Sequence, residues 1–257
     1  MTAKVFLGDA VAVGAATPGS ALLLDGSEGR HAAVVQRIRV GEQIDVVDGL
    51  GTRLRCSVTE AVGPTLRLTV ETAMTEPVPE VRLMLVQALA KGDRDEQAIE
   101  AAVECGVDAV LPWQAERSVA VWRGERAEKS RRKWEAVVRA AVKQSRRAWS
   151  PPVAEVMTTR QLTTRVRKAV ATGSVALILH ESATNPLPPV MPPSIAEVLV
   201  IVGPEGGISE AEVAALTEAG GQAVHLGPHV MRTSTAGPVA IALLSERLGR
   251  WVSSVHE

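Results

Sequence analysis

Glycine, proline and charge meet in two segments near the C-terminus, Val198-Leu-Val-Ile-Val-Gly-Pro-Glu-Gly-Gly-Ile-Ser209 and Ala223-Val-His-Leu-Gly-Pro-His-Val-Met-Arg-Thr-Ser-Thr235. In each, a buried-type β run stops at Gly-Pro and gives way to a loop whose backbone amides lie open, with a helix to follow. Two such turns at one end of a sheet can hold a nucleoside-sized ligand by main-chain hydrogen bonds. Gly203-Pro-Glu-Gly-Gly207 lacks the G-x-G-x-x-G spacing of a dinucleotide site, and no Walker lysine follows it. Glu205 offers a carboxylate for ribose hydroxyls or an amino group.

The elements that must position these turns follow from periodicity. Ala21–Leu24, Gln43–Val47, Arg53–Val58 and Thr65–Val70 read as strands punctuated by Asp48-Gly49, Gly51 and Gly63-Pro64, with a helix from Ser27 through Ile38. Residues 1–75 are thus expected to form a small β-barrel-like domain, followed by a stiff proline-bearing linker at 76–80. From 81 to 257 strands alternate with helices: strands at Val81–Leu89, Val107–Leu111 and Val175–Leu179, helices from Asp93 to Cys105, Glu125 to Trp149 and Thr159 to Ala171. That order predicts a mostly parallel α/β sheet covered on both faces. A proline-dense loop, Pro186–Pro193, leads into the first glycine segment, and Ser209-Glu-Ala-Glu212 is a capping box.

Composition narrows the classes. With 257 residues and 46% hydrophobic content the chain can bury a substantial core. No apolar run approaches the ~20 residues of a membrane helix and the N-terminus lacks a signal peptide's apolar region, so a soluble cytoplasmic protein is expected. Cys56 and Cys105 form no CxxC pattern, and no metal site is expected. A net charge of -1, no Tyr and one Phe disfavour a globally basic or stacking-based RNA binder, so any RNA contact must come from local patches.

One helix supplies such a patch. Nine Lys or Arg against three Glu fall between Glu125 and Trp149, and Arg132, Arg139, Lys143 and Arg146 line a stripe opposite Trp134, Val138 and Ala141. Arg30, Arg37 and Arg39 form a second basic cluster in the first domain. Both are candidate phosphate contacts, which orient RNA without choosing a base.

Val202-Gly-Pro-Glu-Gly-Gly-Ile-Ser209 and Leu226-Gly-Pro-His-Val-Met-Arg-Thr-Ser-Thr-Ala236 resemble the two signature motifs of the RsmE-type methyltransferases, a family of the SPOUT class. Lys91-Gly-Asp-Arg94, Glu116-Arg-Ser118, Gln144-Ser145 and Leu179-His-Glu181 stand in that family's order. Arg30-His31, Val35-Gln-Arg-Ile38, Val40-Gly41 and Asp48-Gly49 extend the likeness into the first domain. The resemblance implies methylation of N3 of a uridine in 16S ribosomal RNA with S-adenosyl-L-methionine, on the 30S subunit, by a homodimer. It further implies a C-terminal trefoil-knot domain and an N-terminal PUA-like barrel that docks RNA. The cofactor residues it implies are Leu179, His180, Glu181, Gly203, Pro204, Glu205, Gly206, Leu226, Gly227, Met231 and Ser234.

Methyl transfer from a sulfonium needs no metal, but uridine N3 must lose its proton, and the anion spreads to O2 and O4. Arg232 is the expected catalytic residue, since a guanidinium stays protonated and clamps an anion. The family's Thr-Glu-Thr is here Thr233-Ser234-Thr235, and Gly237-Pro238 suggests a last helix that starts late, with Pro238 in its first turn. The proton acceptor stays open among Glu205, Glu181, His180, His229 and hydroxide. A SPOUT enzyme acting on a ribose hydroxyl, or a non-catalytic ribosome-assembly factor, are the alternative readings.

Overall fold

Period-two alternation builds the first sheet. The computed structural model describes residues 3–191 and 194–251, so the last two positions of the proline-dense loop and the C-terminal 252–257 lie outside the described residues. One compact unit comprises Met1–Val78 with Val142–Ser150, the other Pro79–Ala141 with Pro151–Glu257.

In the first unit, β1 (Lys4–Leu7), β2 (Ala21–Leu24), β3 (Gln43–Val47), β4 (Thr52–Val62) and β5 (Thr65–Thr75) form a sheet ordered β1-β3-β4-β5-β2. β1 runs parallel to β3 and the other pairs are antiparallel. Leu54, Cys56 and Val58 on β4 and Leu66, Leu68 and Val70 on β5 turn to the core, where Phe6 and Ile44 meet them. The sheet is open, for no pairing joins β1 to β2 among the described residues, where a barrel-like closure was expected. A short helix α1 (Ala10–Ala15) follows β1, while α2 (Gly26–Arg30) and a π-helical turn (His31–Val35) occupy the sequence expected to hold a single helix. β4 and β5 outrun the expected strands because their far ends pair while exposed, carried by Thr, Glu and Met side chains.

Val142–Ser150 belongs to this unit for a definite reason. Arg53, almost wholly buried, donates to Glu76 at 2.6 Å, to Asp45 at 3.3 Å and to the Arg146 carbonyl at 2.7 Å, while Trp149 Nε1 donates to the Glu76 carbonyl at 3.1 Å.

The second unit contains β6 (Arg82–Ala88), α3 (Arg94–Glu104), β7 (Ala109–Gln114), β8 (Met157–Thr158), α5 (Thr159–Ala171), β9 (Val175–Leu179), β10 (Glu197–Val202), α6 (Glu210–Glu218), β11 (Gln222–Val224) and α7 (Thr233–Arg247). It also holds most of α4 (Glu125–Gln144). The sheet is parallel throughout, in the order β11-β9-β10-β6-β7-β8. The chain steps outward from β6 to β8, returns to lay down β9 two places beyond β6, and only then fills the gap with β10. Strand ends therefore converge at the reversal of strand order, where open α/β sheets bind ligands.

Three local expectations are corrected. The basic helix stops at Gln144 rather than Trp149, because Arg146 takes φ 58, outside the right-handed helical region. Asp93 stands at the α3 N-cap without a side-chain cap; Asp95 instead accepts from Ala90 N and Glu96 N. The last helix starts early, at Thr233, and encloses Pro238. Proline inside a helix forfeits a hydrogen bond, but here Gly237, Pro238, Ile241 and Leu244 are all buried. A Cβ on Gly237 would come within 2.9 Å of Leu85 Cδ1, so helix and sheet approach closely only because that position is glycine.

Candidate functional site

The C-terminal ends of β9, β10 and β11 frame a cavity of about 840 Å³. Leu179, His180 and Glu181 line it from β9, Gly203 to Ile208 from β10, and Val224 to Thr233 from β11, while Arg94 enters from the first turn of α3 and Arg117 from the loop after β7. Every residue expected to hold the cofactor is among these except Ser234, and Arg232 is too. Thr233, the residue before it, lines the cavity. Its hydroxyl donates to the Gly203 carbonyl at 2.7 Å and accepts from Gln87 Nε2 at 3.0 Å.

The first turn is shaped by main chain. A Cβ on Gly203 would lie 2.6 Å from Ile208 Cγ1, so only glycine permits the fold-back. Gly207 N donates to the Pro204 carbonyl at 2.9 Å, and Arg117 Nη1 donates to the Gly206 carbonyl at 3.0 Å. Beneath it Ser209 caps α6 with Glu212, and its hydroxyl donates to Glu116 at 2.6 Å. The loop after β7 thereby braces the loop after β10. Arg117 lay inside a motif legible in the sequence, but nothing in its spacing marked it as facing the cavity.

Glu205 accepts from Lys91 N at 3.0 Å and from Arg94 Nη1 at 2.7 Å. Burial works to raise its pKa, but the hydrogen bonds from Arg94 and from the amides of Glu205 and Lys91 outweigh it and hold the carboxyl below the usual glutamate range. An ionised carboxylate already engaged this way is a poor proton acceptor. Glu205 therefore loses standing as a base. His180 Nδ1 lies 3.3 Å from Ser182 N and 2.9 Å from Ser182 Oγ. Glu181 and His229 are exposed at the rim. Arg232 is exposed at the N-cap of α7, in extended conformation, and no carboxylate pairs with it among the described residues.

The expected RNA contacts divide. Arg30, Arg37 and Arg39 are exposed in the first unit, and Arg37 sits at φ 53. On α4, Arg139 is exposed, whereas Arg132 pairs with Glu128 at 3.1 Å. Lys143 is half-buried and its Nζ lies 2.8 Å from Glu28, so its charge is neutralised; Arg146 is exposed beyond the helix end. No group of three or more His, Cys, Asp or Glu among the described residues could hold a metal, and no described helix is long and apolar enough to cross a membrane.

A parallel α/β sheet with main-chain ligand loops at adjacent strand ends defines a cofactor-binding enzyme domain, and a family model described as an RNA methyltransferase domain matches residues 77–245. The chain belongs to the RsmE-type SPOUT methyltransferases, the ribosomal RNA small subunit methyltransferases E. It is 47% identical over 239 residues to the enzyme of that name from Mycobacterium bovis, covering 93% of this chain and 91% of the relative. To the Bacillus subtilis enzyme it is 31% identical, covering 86% and 88%. A crystal structure of the Neisseria gonorrhoeae enzyme bound to S-adenosyl methionine superposes with TM-score 0.83 at 28% identity, covering 95% of this chain and 98% of that one.

Proposed function

We propose that this chain binds S-adenosyl-L-methionine in the cavity at the ends of β9, β10 and β11 and methylates N3 of a specific uridine in 16S ribosomal RNA, on the 30S subunit. The residues fit that cofactor. The cavity has nucleoside-scale volume, Gly203 keeps the first turn's main chain accessible, and His225 Nδ1, buried beside it, has no partner among the described residues. When bound, the cofactor supplies an electrophilic methyl on a sulfonium, open to in-line attack without a metal.

The chain's own residues do the rest. Gly203 to Gly206, with Leu226, Gly227 and Met231, orient the ligand, and Leu179, His180 and Glu181 close its other side. Arg232 carries the reading. At the cavity edge and without a carboxylate partner among the described residues, its guanidinium can stabilise the charge that develops on O2 and O4 as N3 loses its proton. Because Glu205 is held by Arg94, the N3 proton leaves to Glu181, His180, His229 or solvent hydroxide.

RNA is oriented by Arg30, Arg37 and Arg39 on a PUA-like first unit and by Arg139, with Arg132 and Arg146, from the basic segment. The second unit is the SPOUT trefoil knot, a reading supported by the late insertion of β10 between β6 and β9. It works in the cytoplasm as a homodimer, for which the exposed apolar side chains of Val119, Val121 and Val230 give surface. Nucleoside mass spectrometry of ribosomal RNA from cells with and without the gene tests the proposal. Loss of 3-methyluridine from the 16S fraction is expected; an unchanged profile, or loss of a ribose methylation instead, overturns it.

A further inference from the structure

A second cavity, of about 300 Å³, shares the segment 90–96 with the large one. Arg94 lines the large cavity and donates to Glu205, whereas Lys91, Asp95 and Glu96 line the small one. Opposite them stand Trp122, from the segment after β7, and Ser130, Lys133 and Trp134 of α4. All of these residues belong to the second unit. Trp122 is held in place from two directions. Its main-chain N donates to Gln114 Oε1 at 3.1 Å while Gln114 Nε2 donates to the Ala120 carbonyl at 2.9 Å, and its ring meets buried Trp134 edge to face with centroids 4.8 Å apart. Half-buried itself, Trp122 gives the small cavity a fixed aromatic wall.

The charges around that wall oppose one another. Lys133 Nζ lies 2.5 Å from Glu96 and 3.8 Å from Asp93, buried Asp95 accepts from Ala90 N and Glu96 N, and Lys91 is exposed with no carboxylate partner among the described residues. A small ion of either sign would meet its own charge there, whereas a flat neutral heterocycle can lie on the indole and turn a polar edge to the carboxylates and the Ser130 hydroxyl. Carboxylates accept and do not donate, so Asp95 and Glu96 favour a base with an exocyclic amine over uracil, and Lys91 suits the phosphate attached to it. Resting on the RNA substrate proposed above, we infer that the small cavity binds a second nucleobase of that RNA, an adenine, cytosine or guanine stacked on Trp122, apart from the uridine that is methylated. Segment 90–96 then divides the seat of the reaction from the seat that reads the neighbouring sequence.

The test uses the full-length chain saturated with S-adenosylhomocysteine, so that mononucleotides are kept from the large cavity. AMP, CMP and GMP should quench tryptophan fluorescence at least about fivefold more tightly than UMP. Ser130→Leu, which fills the small cavity from a helix position that accepts leucine, should abolish the response. In methyl transfer to 30S subunits, Trp122→Ala and Ser130→Leu should each raise KM by about 5–50-fold with kcat within about twofold, and Trp122→Phe should return KM to within about threefold of wild type. Quenching that survives in Ser130→Leu, UMP binding as tight as AMP and CMP, or a wild-type KM in either Trp122→Ala or Ser130→Leu overturns the inference. So does a loss accompanied by dissociation into single chains on gel filtration, since the cavity would then be a contact between copies. In each of these cases methylation of N3 by wild type leaves the proposed function standing, whereas its absence in wild type removes both.

Discussion

Thr233 Oγ1 donates a 2.7 Å hydrogen bond to the carbonyl of Gly203, joining the first residue of α7 to the end of β10. Since the same oxygen accepts from Gln87 on β6, one hydroxyl holds together both glycine turns and the sheet beneath them. Thr233→Val keeps the shape and removes both bonds. It should cost about 1–3 kcal/mol in urea unfolding and loosen cofactor binding, while Thr233→Ser restores both. Wild-type stability in the valine variant would show that the bond holds nothing.

Arg232, at the N-cap of α7, has no carboxylate partner among the described residues. Arg232→Ala is expected to slow methyl transfer by about 100–1000-fold, the scale of losing one preorganised anion-stabilising group, while cofactor affinity falls by less than about threefold. Single-turnover kinetics beside calorimetry separates the two effects. An equal loss in both would make Arg232 a cofactor ligand instead.

Asp95 should make stability depend on pH. Burial pushes its carboxyl from the ordinary 3.8 up to about 6, against the pull of amide hydrogen bonds from Ala90 and Glu96. A carboxyl that holds its proton more tightly when folded favours the fold at low pH, and that contribution is lost as pH rises through about 6. Asp95→Asn, neutral throughout, should therefore match wild type near pH 4 and exceed it above pH 7 by on the order of 3 kcal/mol. Urea titrations at several pH values decide it; parallel curves would refute the assignment.

Strands and glycine turns were legible because their signals are local. Val175–Leu179 and Gln43–Val47 fall where the apolar runs place them, as does α5 from Thr159 to Ala171. What escaped depends on distant partners. Pro238 reads as a helix start, yet α7 tolerates it internally because burial against the sheet outweighs one lost bond. His225 reads as an ordinary residue before a motif, and only tertiary enclosure shows its unpaired nitrogen. Lys143 has the spacing of a phosphate contact; Glu28, far away in sequence, claims it.

That last contact separates two residues that look alike in the sequence. Arg139→Glu should weaken RNA binding and lower the slope of log affinity against log salt by about 0.7–0.9, with thermal stability unchanged. Lys143→Glu should instead destabilise the first unit by setting two carboxylates together, seen as a lower melting temperature. Filter binding across a salt series, beside thermal melts, reads both. An unaltered slope in Arg139→Glu removes that residue from the RNA track.

The ligand cradle draws on three parallel strands held in register, with Val198 opposite Val175 and Gln222 opposite Leu177. Its specification is therefore one of length more than of chemistry. A single inserted residue in β9 or β10 would slide a loop by about 3.3 Å and turn its side chains to the opposite face, whereas many side-chain exchanges around the rim would leave the amides where they are. Evolution in this domain should tolerate substitution far better than insertion or deletion, and a deep indel scan would trace the cradle's outline more sharply than an alanine scan.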